Sequence, residues 1–285
     1  MAVVLVALTL ALFAWRQGAA RPLLVCLRPR PGLLLTALVA LPWYVLMLLV
    51  DGAPFWNSFF GYHNLQRFTS VVNDHREPWW FFLALLLGVA LPVTPLLLLG
   101  LSRALRPLAL PWRRDKNTQV ASPARLEAPA ASLARFAAAW LLAVLVFFTL
   151  AATKLPSYWL PATPAAALLV ALTAQVPWRS PGGAPDRGAR IAWGLTLALA
   201  GVLALGLALA PRWVPLIQDP EMPSLAVDLL ASGVLAWAAL FWGLAAVLGL
   251  LLRRQAAPLR LLGLQLALVL YVPGALLPAW ALGDR

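Results

Sequence analysis

Lys154 is the one ionisable charge in the 41 residues from Phe136 to Val176, within Ala151-Ala152-Thr153-Lys154-Leu155-Pro156-Ser157-Tyr158. An ammonium in such a stretch either extends its apolar stem to reach the lipid headgroups or holds an anion, because a cation at lipid depth is costly without a partner. A second polar cluster runs from Phe59 to Trp80 and contains both histidines, His63 and His75, with Arg67, Arg76, Asp74 and Glu77. An arginine there can grip a phosphate through two parallel hydrogen bonds, and a histidine can ligate metal or move protons. The plainer alternative is a solvated interfacial loop with routine ion pairs such as Asp74 with Arg76. Asp219-Pro220-Glu221 can supply a carboxylate to metal or to proton transfer, or be solvated loop acids. The chain carries no phosphate-cradling glycine loop, no paired-cysteine metal motif and no nucleophile elbow. Its single cysteine, Cys26, excludes an internal disulfide.

The elements that carry these residues must cross a membrane. The 285 residues are 62% hydrophobic and 11% charged, more apolar surface than a soluble domain can bury. Apolar runs separated by basic or Pro/Gly-rich loops predict an all-α, polytopic transmembrane helical bundle of about eight spans. These lie near residues 1–15, 33–50, 79–101, 136–152, 159–176, 191–210, 228–252 and 259–282. They form a single transmembrane domain, 1–285. Loops after alternate spans hold 17 of the 22 Lys and Arg residues, so those loops face the cytoplasm. The net charge of +12 is thus a topology signal rather than a nucleic-acid footprint. Arg67, Arg76, Lys154, Arg212 and Arg285 fall on the outer side with seven of the ten acids. Lys154 then sits in a tight turn between the fourth and fifth spans.

The outer loop 51–78 begins with Phe55, Trp56, Phe59, Phe60 and Tyr62 at near-helical spacing, as in an amphipathic helix lying in the interface. Such a helix would hold His63 and Arg67, at i and i+4, on one face. Trp79 and Trp80 open the third span where an aromatic belt lies, stacking on a ligand being the other use of an indole. Asp228 favours the N-terminal end of the seventh helix. The cytoplasmic stretch 102–135, rich in Pro, Ala and Arg, reads as a flexible linker near anionic membrane lipids. The first span offers only about 14 apolar residues against the ~17–25 typical of a span. It also has no charged flank before it. The chain therefore reads as N-terminally incomplete, or as one half of a split protein.

Asn64-Leu65-Gln66-Arg67-Phe68, then His75 with Pro78-Trp79-Trp80, then Lys154-Leu155-Pro156-Ser157-Tyr158 leading into Pro161 and Pro164, resemble the bacterial aminoarabinose transferases and related membrane glycosyltransferases. That group belongs with the protein O-mannosyltransferases in the GT-C fold. The resemblance is strongest over about residues 40–175 and matches the later half of the fold. It implies a transferase of the bacterial inner membrane, its active face periplasmic. The donor would be a polyprenyl-phosphate-linked sugar, and the acceptor a lipid, glycan or protein. It implies that Arg67 and Lys154 face the donor phosphate with Tyr158 nearby, and that His63, Asn64 and His75 lie in the site loop. The family usually places a histidine near Asn64, linked to a metal site, which makes His63 the one candidate ligand for a divalent metal without establishing such a site. Here the nearest histidine is one residue earlier, at His63. Family members carry their catalytic aspartate in a first outer loop that has no counterpart here, so a separate chain would supply it with the N-terminal half. Two other readings stay open. One is a non-catalytic scaffold or degenerate paralogue that keeps lipid binding. The other is a transporter or flippase, for which charged or broken spans near the midplane are expected.

Overall fold

Fourteen helices, most of them apolar along their whole length, account for nearly all of the described backbone, and no strand occurs among the described residues. The computed structural model describes residues 2–17, 20–71, 77–106, 129–175, 186–217 and 222–271. Five helices are long and apolar enough to cross a bilayer: Pro29–Asp51, Ala130–Leu150, Pro156–Gln175, Arg187–Ala208 and Val234–Arg254. A sixth is added if the broken pair Phe81–Val89 and Thr94–Leu105 is counted as one span. The chain is a multi-pass, all-α membrane protein. About eight spans are expected from the sequence; the first of them is the shorter apolar helix Val3–Gln17. The eighth is described only as far as Tyr271.

The helices run in order as α1 (Ala2–Gln17), α2 (Ala20–Leu27) and α3 (Pro29–Asp51). Proline in the first turn starts α3, where its missing N–H would be unpaired anyway. Gly52, at φ +59°, ends α3 in a conformation that disfavours any residue with a Cβ. The short α4 (Ala53–Phe55) leads into a π-helix, Trp56–Gln66, and then α5 (Arg67–Thr69). Next come α6 (Phe81–Val89) and α7 (Thr94–Leu105), the expected third span broken around Pro92, then α8 (Pro129–Leu150). A 3-10 helix, Pro156–Ala162, runs directly into α9 (Thr163–Gln175). The last group is α10 (Arg187–Ala208), α11 (Ala210–Trp213), α12 (Leu225–Ala231), α13 (Val234–Leu251) and α14 (Ala257–Tyr271). Gly233, at φ +68°, separates α12 from α13 and so breaks the expected seventh span. Asp228 sits in the first turn of α12, where a carboxylate suits the positive end of the helix. Of the expected linker 102–135, residues 107–128 lie outside the described residues.

Contacts divide the chain into two units, residues 1–89 with 104–168, and residues 90–103 with 169–285. In the first unit, α8 is the centre. Its Ala137, Ala138, Leu141 and Val144 are at most 1% exposed, and small side chains at such a face let neighbouring helices approach closely. Phe13 of α1 meets Phe136 edge-on at 5.6 Å, and Phe82 of α6 packs against Phe148 at 6.1 Å. In the second unit, α10, α13 and α14 pack in sequence. The Trp193 indole N–H donates to the carbonyl of Gly249 at 3.3 Å, and a side chain at Gly249 would collide with Leu197. Arg260 of α14 donates to the carbonyl of Ala174 at 3.1 Å, near the end of α9, and lies over the Trp193 ring. Arg103 at the end of α7 pairs with Asp186, the N-cap of α10, through both carboxylate oxygens at 2.8 Å.

Candidate functional site

Two segments far apart in sequence meet at the end of α8. The backbone N–H of Ala152 donates to the carbonyl of Phe68 at 2.9 Å, and that of Thr153 to the carbonyl of Arg67 at 3.1 Å. The Thr153 hydroxyl, on a residue only 1% exposed, donates to the carbonyl of Ser70 at 2.8 Å. The rings of Phe68 and Phe147 pack at 5.1 Å just below. This short pairing fixes the last turn of the loop helix onto the turn that carries Lys154. It places Arg67 and Lys154 on adjoining stretches of main chain.

Local sequence explains the turn. α8 stops at Leu150, and Pro156, which cannot donate a backbone hydrogen bond, starts the 3-10 helix. Leu155 is extended, as the residue before a proline prefers. Lys154 is thereby held between two helices, as expected from its place in the apolar run. It is buried, at 9% exposure, and its ammonium donates to the carbonyl of Ala151 at 3.1 Å. An ammonium has three N–H donors. Among the described residues, Ala151 is its one hydrogen-bond acceptor and no carboxylate pairs with it. Four residues on, Tyr158 stacks on Phe148 with ring centroids 4.6 Å apart, which fixes its ring beside the same turn.

The loop helix differs from the expected α-helical form. Trp56–Gln66 is a π-helix, in which each N–H reaches the fifth residue back, a rare form that frequently occurs at functional sites. The aromatic residues expected to lie in the interface form a connected cluster, with Phe55, Phe59 and Phe60 packed against Trp43 and Tyr44 of α3. The wider turn brings Tyr62, five residues before Arg67, beneath its guanidinium, 5.8 Å from the ring centroid. The Arg67 N–H also donates to the carbonyl of Tyr62. Asn64 donates to the carbonyl of Phe59 at 2.6 Å, a bond that supports the helix itself. His63 is exposed and meets the edge of Tyr62 at 5.0 Å.

Arg67, Lys154 and Tyr158 therefore belong to one neighbourhood, and Asn64 is tied into the helix beneath them. His75, Arg76 and Asp219-Pro220-Glu221 lie outside the described residues. Trp79 and Trp80 are exposed on the approach to α6. Among the described residues no three His, Cys, Asp or Glu side chains gather as metal ligands. Sequence reasoning passed over Thr153 and Phe148, which hold the site together. A buried threonine beside the lone lysine, and an aromatic pair ending the span, were the available signals.

Comparison with curated proteins finds relatives among bacterial transferases. Over 178 residues, 62% of the chain, it is 34% identical to the undecaprenyl phosphate-alpha-4-amino-4-deoxy-L-arabinose arabinosyl transferase of Pseudomonas paraeruginosa, covering 26% of that protein. The chain is aminoarabinose transferase-like. It is 32% identical over 142 residues to a protein of the same name, numbered 1, from Pseudomonas fluorescens, covering 50% of the chain and 22% of the relative. The Serratia proteamaculans transferase is 29% identical over 203 residues, 70% of the chain and 32% of the relative. The chain spans about a quarter of the length of the first of these curated relatives. No family model matches. No solved structure matches.

Proposed function

We propose that this chain forms the donor-phosphate part of a membrane glycosyltransferase that takes its sugar from a polyprenyl-phosphate carrier. The observation that carries this is Lys154, a buried ammonium without a carboxylate partner among the described residues, held beside Arg67 by the pairing of residues 67–70 with 152–153. A buried cation needs a counter-charge, and a phosphate supplies one. The similarity to transferases named for an undecaprenyl phosphate-linked sugar supports the same donor class.

In the transfer, the bond between the sugar's anomeric carbon and the phosphate oxygen breaks, and an acceptor oxygen bonds to that carbon. The acceptor hydroxyl gives up its proton to a base not assigned among these residues. Negative charge grows on the departing phosphate, and two fixed cations stabilise that charge more than they stabilise the bound donor. Tyr158, held by Phe148, offers a phenol to the same phosphate. The positive-inside distribution of Arg and Lys supports the outer side of the membrane for this site, and the similarity to bacterial transferases supports reading that side as the periplasmic face of the inner membrane. The acceptor is a lipid, glycan or protein at that face. The bond from Lys154 to Ala151 favours one rival reading, in which the lysine merely caps α8.

The test is transfer of radiolabelled sugar from polyprenyl phosphate, in membranes of cells that express the gene from its own locus. Lys154→Ala should lower the rate by about 10²-fold or more, the usual loss when one donor to a developing negative charge is removed. A rate equal to wild type, with the variant present at equal abundance, would leave only the capping role.

A further inference from the structure

Arg67 is held from two sides. Its carbonyl accepts from the N–H of Thr153 at 3.1 Å, which fixes its main chain beside the Lys154 turn. Its guanidinium carbon stands over the Tyr62 ring, 5.8 Å from the centroid. That lies within the ~6 Å at which a cation is drawn to the negative face of an aromatic ring. No carboxylate pairs with Arg67 among the described residues. A ring face attracts the guanidinium by charge and consumes none of its five N–H donors, so the fork that grips a phosphate stays available.

Helix register decides which side chain takes this place. In an α-helix the neighbours of residue 67 are residues 63 and 64, here a histidine and an asparagine. The π-helix Trp56–Gln66 widens the turn, and the Arg67 N–H donates to the carbonyl of Tyr62, five residues back. A neutral ring thus stands where a histidine would repel the guanidinium whenever it took up a proton. The register is itself anchored. Phe55 packs on Trp43 of α3 at 5.7 Å, and Phe59 and Phe60 pack on Tyr44 at 5.8 and 5.9 Å. An arginine side chain is long and loses rotamer freedom when it takes hold of a phosphate. A ring that keeps the guanidinium in one place beforehand removes part of that loss on binding.

We infer that Tyr62 is a positioning residue for the donor phosphate: its ring face holds the Arg67 guanidinium where it meets the phosphate beside Lys154. The inference rests on the donor-phosphate role proposed above for Arg67 and Lys154. Tyr62 acts through Arg67 and not on the phosphate itself.

The readout is the Kd of undecaprenyl phosphate for the purified chain in nanodiscs, with the melting temperature of each variant measured alongside. Tyr62→Leu should raise Kd by about three- to tenfold, and Tyr62→Phe should stay within about twofold of wild type. Arg67→Ala should itself weaken binding by about tenfold or more. In that background Tyr62→Leu should bring no further loss, because the two residues act as one unit. Phenylalanines with successively more ring fluorines at position 62 keep the shape and drain the ring face of negative charge. Kd should climb stepwise along that series while the melting temperature stays constant. A Kd that ignores the fluorines would overturn the role of Tyr62 and leave the donor-phosphate site standing. So would a Tyr62→Leu chain that binds as wild type, or a further loss from Tyr62→Leu in the Arg67→Ala background. An Arg67→Ala chain that binds as wild type would overturn both.

Discussion

Side chains with one foot in lipid reveal their role through the partner they lack or keep. Lys154 keeps a carbonyl, and Asp186 keeps a full set of partners. Burial pushes the Asp186 carboxyl up. The N–H of Ala189 and the guanidinium of Arg103 pull it down further, and the net position is below the ordinary carboxylate range. A carboxyl so depressed stabilises the fold above its unfolded value of about 3.9, and the stabilisation is lost as pH falls through the folded value. Asp186→Ala should therefore lower stability by about 1 kcal/mol at pH 7, the usual loss for an N-cap. The gap between variant and wild type should close below about pH 4. Thermal unfolding in detergent at pH 7 and pH 3 reads both, and a gap that persists at pH 3 would contradict the assignment. Lys154 was legible in the sequence because a lone charge in an apolar run shows in one dimension. Arg67 stood out by its place in the polar outer loop, and only the family resemblance linked it to Lys154. The pairing that joins their segments spans 83 residues and uses main-chain groups, which leave no mark on side-chain composition.

At the scale of elements, close helix packing depends on single missing side chains. A Cβ at Gly100 of α7 would stand 2.9 Å from the carbonyl oxygen of Leu169 and collide with the Thr173 hydroxyl of α9. Gly100→Val should cost about 1–3 kcal/mol by overpacking. Gly88 and Gly194 have open space around them, and valine there should leave stability nearly unchanged or raise it slightly, because it meets no neighbour and restricts the unfolded chain. Melting temperatures of the three variants in one detergent test this, and equal shifts would contradict it. Apolar periodicity showed most helices because a span needs about 20 apolar residues and little else has that composition. It did not show the breaks near Pro92 and at Gly233, since membrane helices tolerate both residue types. Nor did it show the π-helix. The same aromatic residues at positions 55, 56, 59, 60 and 62 suit either register, and neighbouring aromatics on α3 decide it.

For the whole molecule, the similarity to aminoarabinose transferases covers 50–70% of the chain in the relatives compared. The central claim is that Lys154 holds the donor phosphate. Its most direct test is the Kd of undecaprenyl phosphate for the purified chain in nanodiscs, wild type against Lys154→Met, with thermal stability measured alongside. Loss of a hydrogen bond from a charged group is expected to raise Kd by about ten- to a hundredfold, with Lys154→Arg in between. An unchanged Kd together with a lowered melting temperature would mean that Lys154 caps a helix and holds no phosphate.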